Sequence, residues 1–394
     1  MATSTKAPKA QKLLAALPTA LVEVKAEAMP ALDRDLVRAA GLAGLTLDEV
    51  RFVVEEYYRV QNERIRVNNQ IRKMKEHGEP HTVISWMADT AEKREANIQK
   101  ALGAWAVLRP AGKWLQSQYG IGPVLSAGLL AYIDINKAPT VGHIWRFAGL
   151  DPTMRWLGRK ASSEVVSAIL GGDDSALEEF GEDGQFSETE TAEIAALLAD
   201  VKQGKREITG EHFAKLSRVT GRSPGKLISM ARDEKGVMSA AKLERELAKR
   251  PWSADLKRLC WLIGQCVMKT CNIPESFYGR LYKERKLQEV ANNSLGKFAE
   301  QAKKVLREKK FKDAEYRAIY ESGKLPDGHI DARARRWMVK IFLAHTHQAM
   351  YLEAFKKMPP KPYIIEHGGH THEIKFHDPE GVFTETMAKL AAGS

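Results

Sequence analysis

Residues 46–80 read TLDEVRFVVEEYYRVQNERIRVNNQIRKMKEHGEP, and the spacing of their apolar side chains decides the fold class. Thr46 and Glu49 have the spacing of a capping box, in which hydroxyl and carboxylate satisfy each other's free backbone N–H groups, so a helix starts here. From that point Val53, Tyr57, Val60, Arg64, Val67, Ile71 and Met74 recur at alternating intervals of four and three. This heptad stripe predicts a long helix lying along a partner. It ends at Lys75–Pro80, a six-residue turn. A second stripe follows in Ile84, Met87, Ala91, Arg94, Ile98, Ala101, Trp105 and Leu108. Two such helices joined by so short a turn predict an antiparallel coiled-coil hairpin, about 45 Å long at 1.5 Å per residue. Each stripe carries one arginine, Arg64 or Arg94. Either these snorkel or pair with acids, or the hairpin is splayed and touches RNA.

The next stretch, LQSQYGIGPVLSAGLL at 115–130, has the form of a helix-hairpin-helix. Gly120, Ile121 and Gly122 make the turn, and Pro123 falls in the first turn of the following helix. The glycines permit positive φ and close backbone approach, and the exposed N–H groups at a positive helix end can hold a phosphate. The alternative is a tight helical turn with no ligand. Thr209 to Glu234 reads as two short helices around Gly221-Arg-Ser-Pro224, a helix-turn-helix in outline only.

Charge is unevenly distributed. Residues 161–200 hold eleven acids and no Lys or Arg, so the remaining residues carry +22, eleven above the net charge of +11. A surplus of that size calls for polyanions, nucleic acid above all. The acidic run is either a solvated face or a shield over the basic groove. Ser253 can cap a helix with the stripe Leu256, Leu259, Cys260, Ile263 and Val267. Beyond it aromatic and basic residues interleave from Phe277 to Lys286, including Arg280, Tyr282, Lys283, Arg285 and Lys286. Tyr and Phe rings can stack on bases while Arg and Lys reach phosphates. The same pattern also suits a core-facing aromatic set beside a solvated basic face. A further long helix from about Asp327 buries Ile330, Ala334, Trp337, Met338, Ile341, Phe342 and His345. On it Arg333, Arg336 and Lys340 share another face, with Arg335 alongside, and are expected to track a phosphate backbone.

Other classes of function are not supported. No stretch approaches the ~18 apolar residues of a membrane span, and the N-terminus has no continuous signal-peptide core. The protein is therefore expected in the cytoplasm of a bacterial or phage-infected cell, with no membrane partner. Cys260, Cys266 and Cys271 are odd in number and fit no zinc ribbon, so they are expected to be reduced packing residues. Near the C-terminus His367, His370 and His372 have a spacing that could supply imidazoles to zinc, with His345 or His347 nearby. The flanking glycines equally suit a tight hairpin. No cofactor is required by the sequence; zinc or magnesium is the only candidate.

Gly120-Ile-Gly-Pro123 through Ala131-Tyr-Ile-Asp-Ile135, then Ile144-Trp-Arg-Phe147-Ala148-Gly149-Leu150-Asp151-Pro152, resembles the C-terminal domain of bridge-RNA-guided insertion-sequence transposases. The coiled-coil hairpin is similar to the Nop domain of box C/D ribonucleoproteins. Arg250-Pro-Trp-Ser-Ala-Asp-Leu-Lys257 and the His329–Lys340 helix extend the likeness. Two features depart from it. Those transposases carry a RuvC-like domain built on metal-binding carboxylates, whereas residues 1–115 read as helices. They also place a nucleophilic serine just before a glycine, where this chain has Leu157-Gly158. What remains resembles the Tas proteins of tandem-interspaced-guide-RNA systems, which are phage-associated. That resemblance implies guide RNA and target DNA as partners, with base pairing reading sequence while the protein holds the backbone.

The expected fold is mainly α: a coiled-coil hairpin followed by a helix-hairpin-helix-containing Nop- or transposase-like helical domain with a small helical insertion. The boundaries read as a flexible segment at 1–45, the hairpin at 46–114, the helix-hairpin-helix part at 115–159 and the insertion at 160–250. The basic continuation then covers 251–358 and a His-rich tail 359–394. A homodimer is plausible on symmetry grounds. The expected function is guide-RNA-directed DNA recognition with no catalytic residue assigned. A divergent transposase or recombinase and a non-enzymatic ribonucleoprotein scaffold are the alternatives.

Overall fold

The structure, a computed structural model, describes residues 45–79, 81–172, 188–199, 201–204, 207–361 and 374–392. Among these residues the chain is helical, with two isolated β-bridges and no β-strand. It divides into two units, one running to Leu108 and the other starting at Arg109.

The first unit is the hairpin of α1 (Leu47–Glu76) and α2 (Thr82–Ala106). The capping box forms as expected, with the Thr46 N–H donating to Glu49 Oε2 over 2.7 Å. Val54, Tyr58, Val60 and Val67 of α1 are buried, as are Ala91, Ile98, Ala101, Leu102 and Trp105 of α2. The seam of α2 departs from the expected stripe at several steps: Ala88 and Glu95 are buried where the spacing predicts Met87 and Arg94, and Leu102 is buried beside Ala101. Glu95 is buried, while Arg94 is exposed and pairs with Glu56 across the hairpin. Leu108 also leaves the stripe, being half exposed beyond the helix end. Arg64 donates from Nε to Glu95 Oε2 over 2.6 Å, and Gln61 donates to the other oxygen over 3.0 Å. Burial works against ionisation of Glu95, but the Arg64, Gln61 and Tyr57 hydrogen bonds outweigh it and hold its pKa below the usual range. Both arginines are thus paired with acids, and neither marks a splayed hairpin.

The second unit begins with α3 (Pro110–Gln116), α4 (Pro123–Tyr132) and α5 (Val141–Phe147). The inserted helices follow: α6 (Gly158–Gly171), α7 (Glu188–Leu198), α8 (Gly210–Thr220), α9 (Pro224–Ala231) and α10 (Ala240–Ala248). Then come α11 (Ala254–Lys269), α12 (Phe277–Ser294), α13 (Ala299–Glu308), α14 (Ala314–Glu321), α15 (Asp327–Phe355) and α16 (Thr384–Ala392). Helix α15 is the axis, contacted by α3, α5, α11 and α12. Trp114 of α3 is fully buried there, stacked between Phe342 and Phe376. Burying an aromatic ring of this size stabilises the unit by roughly 2–3 kcal/mol. The α11 stripe Leu256, Leu259, Cys260, Ile263 and Val267 is buried as its spacing predicts. Cys260 is a packing residue there, and desolvation pushes its thiol pKa up to about 12.

Helices α6 to α10 enclose a core of their own, from Val165 and Ile169 through Phe213 and Leu216 to Leu243 and Leu247. Thr209 caps α8 and Ser223 opens α9, so the two short helices read from the sequence are present. Arg222 between them is buried, however, with its guanidinium on Met230 Sδ and the Lys249 carbonyl. The chain enters and leaves this module side by side. Trp156 Nε1 donates to the Ala248 carbonyl over 2.9 Å, Arg250 lies over the Trp156 ring, and the Arg155 N–H donates to the Thr220 carbonyl. Residues 173–187 of the acidic run lie outside the described residues.

His345 is enclosed near the middle of the second unit. Its Nε2 donates to the Ile374 carbonyl over 3.0 Å, which leaves Nδ1 to accept from Tyr278 Oη over 2.7 Å. Both ring nitrogens are thereby used in a neutral tautomer, and desolvation lowers the pKa from 6.5 to about 4. Above pH 6.5 neither the folded nor the unfolded state binds this proton. As the pH falls from 6.5 toward 4 only the unfolded chain takes it up, so stability is lost across that window. The expected loss is about 3 kcal/mol, on the scale of 1.36 kcal/mol per pH unit. Urea unfolding of the native protein and His345→Gln at stepped pH checks this. Parallel pH dependences in the two would refute it.

Candidate nucleic-acid interface

The basic residues singled out in the sequence separate into two groups once folded. The first group is neutralised inside the protein. Glu289 of α12 is 1% exposed and accepts from Arg285 Nε and Arg333 Nε, each over 2.8 Å. Arg333 also donates to Gln301 Oε1 over 2.7 Å and lies over the Phe298 ring. Asp331 of α15 accepts from Tyr282 Oη and from Lys286 Nζ, with Arg335 Nε 2.7 Å away. Burial opposes ionisation of Asp331, but the Tyr282 and Lys286 hydrogen bonds and the Arg335 charge outweigh it and depress its pKa. Lys286 and Arg333 therefore knit α12 to α15, while Arg285 and Arg335 pair with the same two acids from within each helix. This corrects the expectation that Arg333 shares a phosphate-tracking face with Arg336 and Lys340. Tyr282 and Tyr278 are buried, so of the two readings of the aromatic-basic interleaving, the core-facing one describes these rings. Neither can stack on a base.

The second group has no carboxylate partner. Among the described residues Arg336 and Lys340 of α15 and Lys257 of α11 form no ion pair, and Arg336 lies close enough to both lysines to repel them. Desolvation lowers the pKa of all three. The neighbouring charges of Arg250 and Arg336 add to this at Lys257, and those of Arg333 and Arg335 at Arg336, where Glu289 opposes them. At Lys340 Asp151 opposes the shift, while Arg336 reinforces it. Indoles replace the missing anions. Lys257 Nζ sits 4.1 Å from the Trp252 ring centre, and Lys340 Nζ 5.5 Å from that of Trp145. A cation over an aromatic face is stabilised by the ring quadrupole without being neutralised, so it keeps its charge for an external anion.

Three distant segments build this cluster. Trp145 Nε1 donates to the Lys340 carbonyl over 3.1 Å, tying α5 to α15. The Ser253 N–H donates to the Phe147 carbonyl over 2.9 Å, tying the start of α11 to the end of α5. Gly149, at φ +64°, lies beneath the Trp252 ring, where a Cβ would come within 2.7 Å of Cγ. Only glycine satisfies both the backbone angle and that approach. Asp151 then pairs with Arg146 and accepts from the Thr153 N–H and hydroxyl, closing the turn. Phe147 beside the cluster is 47% exposed and offers an open aromatic face, while Trp156, 45% exposed, is covered on one face by Arg250.

The remaining candidates are scattered. Gly120, at φ +85°, turns toward the protein's own backbone, where a Cβ would lie 3.1 Å from the Cys266 carbonyl carbon. Ile121 is buried, while Gly122 is the N-cap of α4 with open space around it and Pro123 at the first helical position. Of the two glycines of the turn, only Gly122 has open space around its Cα. Arg280 is exposed without an ion pair, and Lys283 is exposed and donates to Asn272. His367, His370 and His372 lie outside the described residues. His345 and His347 are both committed to carbonyl oxygens, of Ile374 and Ala138. No group of three or more metal-ligating side chains is present among the described residues.

Leu157 is the N-cap of α6 and packs against the core of the inserted module. Ser162 is fully buried with its hydroxyl unpartnered, and Ser163 donates to Glu244 over 3.2 Å. Lys257 and its indole neighbours were not singled out as a site by the sequence reading. Trp252 and Lys257 flank the Ser253 cap of α11, which is the one local signal they give.

The sequence model of the IS116/IS110/IS902 transposase family matches residues 112–168. The matched segment, from within α3 into α6, is transposase-like and contains Trp145, Phe147, Gly149 and Asp151. No curated protein and no solved structure matches the chain. No helix among the described residues is long and apolar enough to cross a membrane.

Proposed function

We propose that this chain binds a structured guide RNA and uses it to recognise target DNA, in the manner of the Tas and Nop-related proteins, without cutting. The observation that carries the proposal is the cluster of Lys257, Arg336 and Lys340, cations without an ion pair among the described residues, two of them over indoles, of which Trp145 belongs to the transposase-like segment. Such a surface grips phosphates and stacks on bases, and it has no dense set of base-edge donors and acceptors. Sequence discrimination is then left to base pairing by the RNA. The family's description as a transposase supports nucleic acid as the partner class. Binding without cutting is supported by Leu157 at the position where the family resemblance places a nucleophile, and by the enclosure of Ser162. Gentle purification followed by sequencing of co-purified RNA tests the proposal: a discrete small RNA is expected, and its absence would end this reading.

The same family description favours one other reading, DNA strand exchange. A strand-transfer assay with magnesium, repeated on Ser162→Ala and His370→Ala, separates the two. Guide binding alone predicts no product in any of the three proteins.

A further inference from the structure

A cleft of about 740 Å³ opens between the end of α3, the start of α12 and the segment leading to α16. Its volume falls within the roughly 300–1,000 Å³ of small-molecule sites. One wall is aromatic. His377 and Phe277 are stacked with centroids 4.3 Å apart at 9°, and Tyr119 on the facing side is 45% exposed. The polar groups are of both kinds. Gln118 is only 4% exposed, and its Nε2 donates to the Trp114 carbonyl and the Ser117 hydroxyl. Because a carbonyl oxygen can only accept, those bonds fix the amide orientation and leave Oε1 with no donor. Arg280 supplies an unpaired guanidinium, and Glu275 and Glu380 supply carboxylates at the lining. Burial and the nearby Arg280 charge lower the His377 pKa, so its ring adds a flat face and no cation.

This chemistry does not suit a bare phosphate, which the two carboxylates would repel. It suits a flat, uncharged ring that carries hydrogen-bond donors and acceptors on its edges. We propose that the cleft takes one unpaired nucleobase of the bound strand, guanine best of all, stacked against the aromatic wall. Guanine offers O6 and N7 to Arg280, and its ring N–H and amino groups face the orphaned Gln118 oxygen and a carboxylate. Bases splayed from single strands are held in this way, by stacking together with edge hydrogen bonds. The inference rests on the reading of the chain as a nucleic-acid binder.

The test uses the full chain and a short fluorescein-labelled strand of tetrahydrofuran abasic units, either baseless or carrying one central guanosine, adenosine or uridine. By fluorescence anisotropy the guanosine strand is expected to bind about tenfold tighter than the baseless one, the scale of one stacked base. In Tyr119→Ala with Arg280→Ala, two exposed positions, that ratio is expected to fall below about twofold. A native ratio near unity, an undiminished ratio in the variant, or a stronger preference for adenosine or uridine overturns the proposal while leaving backbone binding intact. Failure of every strand to bind overturns the parent reading and this one together.

Discussion

Replacing Lys257, Arg336 and Lys340 together by alanine is expected to lower the slope of log affinity against log salt by about 2, at roughly 0.7 per single-strand phosphate contact. The three lack carboxylate partners, so each is available to displace a condensed counterion from a phosphate. Arg333→Ala is the informative control. Its guanidinium is held by Glu289 and Gln301, so the slope should stay within error of the native value even if the protein melts earlier. Binding isotherms against one RNA at four or more salt concentrations decide the matter. If the slope drops with Arg333→Ala and holds in the triple variant, the phosphate contacts lie with Arg333 and its neighbours.

The largest effect on stability is expected from Glu289→Ala. The carboxylate is nearly inaccessible, and two guanidiniums from different helices converge on it. Removing it leaves Arg285 and Arg333 facing each other with no anion. Breaking a buried pair from one side costs about 3–5 kcal/mol. Both arginines retain some exposure, which places the cost near the lower end, about 3 kcal/mol. For a unit of this size that corresponds to a fall in Tm of roughly 6–12 °C. Glu289→Gln should recover part of it, because the amide oxygen still accepts one hydrogen bond. A thermal scan of the three proteins by circular dichroism checks the order, and a Glu289→Ala shift below about 2 °C would mean that water already compensates the arginines.

The helices were legible wherever a short-range signal marked them. The Thr46 capping box and the Ser253 cap of α11 are properties of neighbouring residues, and the structure contains both, whereas the stripe of α1 is kept only at Val60 and Val67, with Val54 and Tyr58 buried in place of Val53 and Tyr57. The seam of α2 was ambiguous at a definable place. Between Ala91 and Ile98 either 94 or 95 leaves one interval of three and one of four, and both residues are charged. Hydrophobicity gives no means of choosing, and the choice of Glu95 follows from Arg64 and Gln61 on the opposite helix. The same limit governed the candidate site. Arg333 and Arg336 look alike on a helical wheel, and only Glu289, forty-four positions from Arg333, distinguishes a structural arginine from an available one. Trp252 and Lys257 drew attention through family likeness, but their place beside Trp145, Gly149 and Lys340 depends on tertiary packing.

The paired entry and exit of the inserted module have a consequence for how this chain tolerates change. Because the hydrogen bond from Trp156 to the Ala248 carbonyl sets entry beside exit, the residues between them form a side branch on a continuous trunk, which they touch again where Arg146 donates to the Gly221 carbonyl. Lengthening or shortening that branch away from Thr220 and Gly221 is expected to leave the path of the trunk through α5, α11 and α15 unaltered. Variation in size among kindred proteins is therefore expected to concentrate there, while the spacing from Trp145 to Asp151 stays constant.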